Sequence, residues 1–339
     1  MSGVPERKRI NLALQGGGSH GAFTWGVLDR LLEEELEIAG ISGTSAGAMN
    51  AVVLAAGLLA GGPEGARQAL DRFWEAVADA GLWSPLKPSP LDRLISEGDM
   101  DTSPAWLWAD ALSRLLSPYQ LNPLGCHPLR PILEEQVDFA LLRRQDRIEL
   151  FLAATDVRRC TLTVFDKSRS SVDAVLASAC LPFLFQAIEI DGGVYWDGGY
   201  MGNPPLEPLI DGTDCDDFVI VPINPLRIEE APTRAAAILD RVNEVAFNSS
   251  LVRELRTIAR INELLAGGWL PPGRYRHLRL HTIGPEPAMA GLGYSSKFNT
   301  ERDFLRRLKA LGRARADAFL RAHRADLGVR GTLDLGTLR

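Results

Sequence analysis

Apolar runs of four to seven residues alternate along this chain with stretches whose hydrophobic positions recur at helical spacing. Residues 9–15 (RINLALQ) predict a buried strand. Residues 20–35 predict a helix in which Ala22, Trp25, Val27, Leu28 and Leu31 share one face. A second short strand is expected over 38–42, then a small-residue helix over 46–60 and another helix over 64–79. Strand alternation returns at 148–155 and 161–165, and residues 172–180 read as a helix stopped by Pro182. Asp191-Gly192 separates two short runs, 187–190 and 194–196, as a hairpin turn does. A buried strand over 218–223, a long helix over 239–265, a late strand over 277–283 and a charged amphipathic helix over 300–324 complete the pattern. Strands alternating with helices imply an α/β fold with a central, mainly parallel sheet covered on both faces.

Residues 81–128 break the pattern. Proline recurs there (Pro85, Pro88, Pro90, Pro104, Pro118, Pro123), Trp83, Trp106 and Trp108 are concentrated there, and helix survives only in pieces such as 104–116. This segment is expected to be a helical cap inserted into the α/β layers. Its tryptophans either line an acyl channel or touch a lipid interface, or they simply pack the cap on the core. The helix over 300–324 carries mixed charge; that describes a solvated face, with peripheral membrane contact through its Arg/Lys set as the weaker option.

Composition narrows the class. With 339 residues, 46% hydrophobic and 24% charged, the chain has ordinary globular character. Cys126, Cys160, Cys180 and Cys215 are far apart and form no C-x-x-C pair, the usage of a reduced cytosolic protein without a zinc site. The start MSGVPERKRINLAL lacks a secretory apolar region, and the longest apolar stretch, 51–60, is short of a membrane span. A cytoplasmic location is therefore expected, with at most a peripheral place at membranes. A net charge of −6 argues against nucleic acid and against electrostatic capture by anionic lipid.

Three motifs carry chemistry. Gly43-Thr44-Ser45-Ala46-Gly47 lies between a strand and a helix, which is the nucleophile-elbow pattern. A turn that tight has no room for a Cβ on either side of the serine, and it lifts the hydroxyl clear of the sheet edge. The bland reading is a Gly/Ser-rich connector. The second motif, Gln15-Gly16-Gly17-Gly18-Ser19-His20-Gly21, follows the first strand and opens the first helix. It satisfies G-x-G-x-x-G, with Glu35 or Glu37 near the place of a ribose-binding acid, so a nucleotide-binding protein is the rival class. The other readings are a ligand-free turn or an oxyanion hole built from backbone N–H groups. A dinucleotide unit has no need of a serine elbow after its second strand; acyl transfer needs both parts. The third motif is Asp197-Gly198-Gly199, where a glycine-lined loop lets a carboxylate approach another group closely.

In this order the motifs resemble those of the patatin-like acyl hydrolases, together with Ala154-Thr155-Asp156 and the run ASACLP from Ala177 to Pro182. The resemblance spans about residues 11–205. It implies a three-layer sandwich of patatin type occupying residues 1–339 as one domain. The catalytic motifs would fall within 9–210, the cap at 81–128, and 211–339 would complete the fold with strands and helices. It also implies a Ser45–Asp197 dyad with Ser45 as nucleophile, Asp197 as its base and the amides of Gly16, Gly17 and Gly18 as oxyanion hole. Gly21, Gly43, Gly47, Gly198 and Gly199 would be the motif glycines. His20 stands where the family commonly carries Arg or Lys. A Ser–Asp–His triad using His277 or His281 is the rival within hydrolases, although His277-Leu-Arg-Leu-His281 alternates like a strand with structural histidines. The expected activity is hydrolysis of lipid carboxylic esters without a cofactor. A storage polyester or short-chain esters are the alternative substrates. Asp211, Asp214, Asp216 and Asp217 lack the spacing of a calcium loop, so no metal is expected. Partners would be the lipid or small ester and, transiently, an apolar membrane surface.

Overall fold

The computed structural model describes residues 8–334 and 336, apart from 83, 97 and 272. Five strands form the parallel part of its sheet, in the order β8 (Arg279–Thr282), β7 (Asp217–Val221), β1 (Lys8–Leu14), β2 (Leu36–Thr44) and β3 (Glu149–Asp156). Three antiparallel strands extend it: β4 (Thr161–Asp166) on β3, then β6 (Gly193–Asp197) on β3 and β5 (Ile188–Ile190) on β6. Side chains alternate between two cores. Ile10, Leu12 and Leu14 enter one and Ala13 the other; Val219 and Val221 oppose Phe218 and Ile220 in the same way. Burial on both faces is why these strands read as unbroken apolar runs.

Helices cover both faces. On one lie α1 (Gly21–Leu31), α2 (Ala46–Gly81) and the late helix Arg302–His323; on the other lie Glu207–Gly212 and the helix Ala235–Ala266. Between α2 and β3 run five short helices: α3 (Asp92–Ile95), α4 (Pro104–Leu115), α5 (Pro118–Leu121), α6 (Leu129–Gln136) and α7 (Phe139–Arg144). After β4 comes α8 (Val172–Ser178), so the three later helices are α9 (Glu207–Gly212), α10 (Ala235–Ala266) and α11 (Arg302–His323). The helices expected over 46–60 and 64–79 are the two limbs of α2, which bends at Gly61 and Gly62 ahead of Pro63. Among the described residues α2 is also the one helix long and apolar enough to cross a membrane; its apolar window is 67% buried, as in a core helix. The short helices α6, α7 and α9 had no clear periodic signal in the sequence.

The C-terminal third has a positional role. Helix α11 packs along α1, and the single-turn 3-10 helix Ser295–Phe298 ahead of it lies against the glycine-rich turn Gly18–His20. Helix α4, in the segment expected to be a cap, has no fully buried residue. Trp106 packs on Tyr294 and Phe298, Trp108 is 70% exposed, and Trp83 lies outside the described residues.

Candidate active site

Ser45 occupies the turn between β2 and α2 with φ 55°, ψ −122°, a conformation rare for any residue with a Cβ. The flanking glycines are steric necessities. A Cβ on Gly47 would lie 2.1 Å from the Leu14 carbonyl oxygen, and one on Gly43 would lie 2.6 Å from the Gly47 oxygen. The elbow is therefore pressed against the end of β1, where the glycine loop begins. At Gly16 a Cβ would meet Ser45 Cβ at 2.7 Å, and at Gly21 it would meet Ala46 Cβ at 2.7 Å.

Asp197 ends β6 and is 1% exposed. Its Oδ1 accepts the Gly199 N–H at 2.7 Å; Oδ2 is buried without a hydrogen bond of regular geometry. Burial pushes its carboxyl up to about 7, against the lowering influence of the Gly199 N–H and the Ser45 hydroxyl. Ser45 is thus near enough to act on Asp197 as a hydrogen-bond donor. The chain passes so tightly after Asp197 that a Cβ on Gly198 would meet the Ala153 oxygen at 2.2 Å, and one on Gly199 would meet Phe247 at 2.0 Å.

The neighbouring motifs hold these two residues. Ser178 Oγ accepts the Ser45 N–H at 2.9 Å, and the Cys180 carbonyl accepts the Asp197 N–H at 2.8 Å. Thr155 Oγ1 donates to the Asp197 carbonyl at 2.8 Å. Asp156, by contrast, accepts the Arg158 and Arg159 N–H groups and orders its own turn. On the other side Gln15 joins the loop to β7: its Oε1 accepts the Ile223 and Asn224 N–H groups at 2.6 and 2.7 Å, and its Nε2 donates to the Asn203 carbonyl.

The glycine loop departs from expectation at one residue. The Gly16 N–H donates to Asn203 Oδ1 at 2.7 Å, so it is not free for a ligand. Among the described residues no acceptor pairs with the Gly17 or Gly18 amide. Gly18 has φ +58°, and a Cβ there would lie 2.3 Å from the Lys297 carbonyl oxygen. His20 points away into the core: its ring accepts or donates to Ser296 Oγ at 2.8 Å, and burial and the Lys297 charge hold its pKa well below the ordinary value.

Ser45, Asp197 and Gly16 to Gly18 line a cavity of about 410 Å³, together with Phe73, Trp74, Val77, Phe185 and Phe247. Its polar members include Asn224, Asn243 and Lys297. Sequence reasoning passed over His127, which also lines it: the ring stacks on Phe185 at 4.2 Å, and burial and Arg130 lower its pKa to about 4. No periodicity or motif marks that position. His277 is exposed, and His281 is fully buried against Asp217 and Thr332; neither lines the cavity. Neither Glu35 nor Glu37 is placed for a ribose. Glu37 pairs across the strands with Arg9 at the start of β1, whereas the glycine loop follows Leu14 at its end, five residues or roughly 17 Å away. Among the described residues no group of three His, Cys, Asp or Glu could hold a metal ion.

A search of curated proteins found no match. Among solved structures, VipD from Legionella pneumophila is 17% identical, with TM-score 0.43 over 94% of this chain and 67% of that one. The type III effector ExoU is 16% identical, with TM-score 0.36 over 94% of this chain and 53% of that one, so the chain spans about half of its length. The family model described as patatin-like phospholipase matches residues 12–210, more than half of the 339. With the serine elbow, the glycine loop and the Asp-Gly-Gly turn all inside that match and all lining one cavity, the chain belongs to the patatin-like phospholipase family.

Proposed function

We propose that the protein is a serine acyl hydrolase that cleaves carboxylic esters of lipids through Ser45, Asp197 and an acyl-enzyme intermediate. The observation that carries this reading is the juxtaposition of a strained serine and a buried, partly unsatisfied carboxylate in a cavity with apolar walls. Ionised Asp197 takes the Ser45 hydroxyl proton as Oγ attacks the ester carbonyl carbon. The carbonyl oxygen becomes an oxyanion, and the free amides of Gly17 and Gly18 are the donors available to it. One such donor is often worth about 3–4 kcal/mol. Collapse breaks the bond to the alcohol, which leaves with the proton held by Asp197. Water then repeats the cycle on the acyl-enzyme and releases the fatty acid.

Apolar docking at a lipid surface agrees with this reading. Leu94, Leu107, Trp108, Leu115 and Leu124 are exposed on α3–α5 and the turn after them. A second cavity of about 400 Å³, lined by Trp106 of α4, shares Leu86, Leu181, Leu184, Phe247 and Tyr294 with the first. Contact would be apolar and transient, and little affected by salt.

The test is labelling by a fluorophosphonate probe combined with hydrolysis of p-nitrophenyl esters of graded length, phospholipid vesicles, triacylglycerol and a polyhydroxyalkanoate. Ser45→Ala should lose both labelling and turnover while keeping the circular-dichroism spectrum. Labelling elsewhere, with Ser45→Ala fully active, would sink the proposal. Micromolar NAD(P) binding without ester turnover would support the nucleotide-binding class instead.

A further inference from the structure

Lys297 is the one lysine or arginine among the residues lining the cavity that holds Ser45. It sits on the 3-10 helix Ser295–Phe298, outside every motif, and it is half-buried. Its ammonium donates to Asn224 Oδ1 at 2.7 Å and stands 5.9 Å from the Tyr294 ring centre. Among the described residues no carboxylate lies within ion-pair distance of it. Glu244 is paired with Arg241 at 2.9 Å, and Asp240 accepts the Tyr294 N–H at 3.2 Å. An ammonium offers three donors, and a neutral amide oxygen takes one of them. Glu244 and Asp240 act on the ammonium only from beyond ion-pair distance, and burial still penalises its charge, so the two remaining donors favour an anion delivered by whatever enters the cavity.

The lysine is also held at a fixed place relative to the serine. Gly16 packs on Ser45 and Gly18 packs on the Lys297 backbone. Two residues of chain span at most about 7 Å. Asn224, which orients the ammonium, is itself fixed by Gln15 Oε1 through its N–H at 2.7 Å. The 3-10 helix is tied by Ser296 to His20 and by Ser295 Oγ to the Met100 N–H.

We propose that Lys297, oriented by Asn224, is an anion subsite that receives a phosphodiester carried a few bonds from the scissile ester. The glycine-loop end of the cavity thereby selects amphiphiles with an anionic headgroup over neutral glycerides. Lys297 is a specificity-determining residue in this assignment, and the assignment rests on the acyl-hydrolase reading above.

The experiment compares kcat/KM for a phospholipid and for a diacylglycerol with the same acyl chains, in the same mixed micelles. Lys297→Met should lower the ratio of the two values by about tenfold or more, mainly through KM for the phospholipid. Lys297→Arg should keep the ratio within about threefold of wild type. An unchanged ratio in Lys297→Met, whatever the absolute rates, would overturn the assignment. If wild-type protein hydrolyses neither lipid, the hydrolase reading fails by itself, and the subsite is then judged by calorimetry with hexyl phosphate, hexanol and inorganic phosphate. Hexyl phosphate binding at least about tenfold tighter than hexanol, and weakened in Lys297→Met, supports the subsite. Equal affinity for hexyl phosphate and hexanol refutes it. Inorganic phosphate binding as tightly as hexyl phosphate would assign the lysine to a free anion and refute the headgroup role.

Discussion

Ser45 and Asp197 come together because their strands share one edge of β3. Thr44, the last residue of β2, pairs with Ala153, and Asp197, the last residue of β6, pairs with Ala154. The other edge is taken by β4, which runs beside the whole length from Phe151 to Asp156. A parallel and an antiparallel strand therefore meet end to end along one neighbour, and their terminal side chains converge. In the proposed dyad this is what substitutes for a third residue: the sheet itself orients the base.

Asp197 sets the expected pH response. Its carboxyl is pushed up to about 7 by burial, and only the ionised form can accept the Ser45 proton. Turnover at subsaturating substrate should rise as pH rises through about 7 and level off above it. The stability effect has the opposite direction. The folded value lies above the ordinary 3.8, so the stability this group contributes is full below about pH 4 and is lost as pH rises through about 7. Asp197→Asn, which keeps an acceptor for the Gly199 N–H, should therefore abolish turnover yet gain on the order of 3 kcal/mol at pH 8. Thermal unfolding at pH 8 checks this; a lower Tm for Asp197→Asn contradicts it.

Ser178 is expected to matter without touching substrate. It accepts the Ser45 N–H from within the core, so Ser178→Ala leaves the elbow without that anchor. The variant should lose roughly 1–2 kcal/mol of stability. Because a small displacement of a nucleophile is expensive, kcat should fall about tenfold or more while KM changes little. Retained kcat in the folded variant would reduce Ser178 to a purely structural residue.

The parts of this site that were legible in the sequence are those whose sterics are local. Gly43 announces itself because a Cβ there would strike the Gly47 backbone, Gly18 because its φ is +58°, and the Asp191-Gly192 turn because both residues adopt positive φ. The parts that were not legible are contacts across long sequence separation. Asn203 occupies the Gly16 amide from 187 positions away, Ser178 reaches Ser45 from 133, and Asn224 is 73 from Lys297. Periodicity gives the face a residue occupies and says nothing of its partner on another element. It likewise gave the strands, and the Asp191-Gly192 turn gave the β5–β6 hairpin, but not where β4 and that hairpin join the sheet, which depends on strand order.

Chelation should have no effect on the proposed hydrolase. The acidic stretch leading into β7 is already neutralised by arginine: Asp214 by Arg9 at 2.8 Å, Asp216 by Arg276 at 3.3 Å and Asp217, the first residue of β7, by Arg279 at 2.7 Å. Asp211 is exposed. Carboxylates committed to guanidinium groups make poor ligands for a hard cation, which takes six to eight oxygens. Ester hydrolysis should be unchanged by EDTA and by added Ca²⁺. Loss of activity in EDTA that Ca²⁺ restores would refute a metal-free reaction.

The histidines of β8 and the residues before it separate a dyad from a triad. His277 is exposed, so His277→Ala should alter neither turnover nor Tm. His281 is different in kind. It is fully buried, with its ring nitrogens on Asp217 at 3.2 Å and Thr332 at 3.0 Å. Burial pushes the Asp217 carboxyl up, but hydrogen bonds from His281, Arg279 and the Gly328 N–H outweigh it and bring the value down to about 2. Asp217 thus contributes stability that is present above about pH 4 and lost as pH falls toward 2. The same cluster ties the segment after α11 to the sheet, since the Thr332 and Leu333 N–H groups donate to the Leu280 carbonyl. His281→Ala should therefore cost about 2–4 kcal/mol and speed amide exchange at Gly328, Thr332 and Leu333. The fraction that stays folded should keep wild-type kcat. If His277→Ala, or folded His281→Ala, lost turnover by orders of magnitude, the base would be a histidine and the Ser45–Asp197 dyad would be wrong.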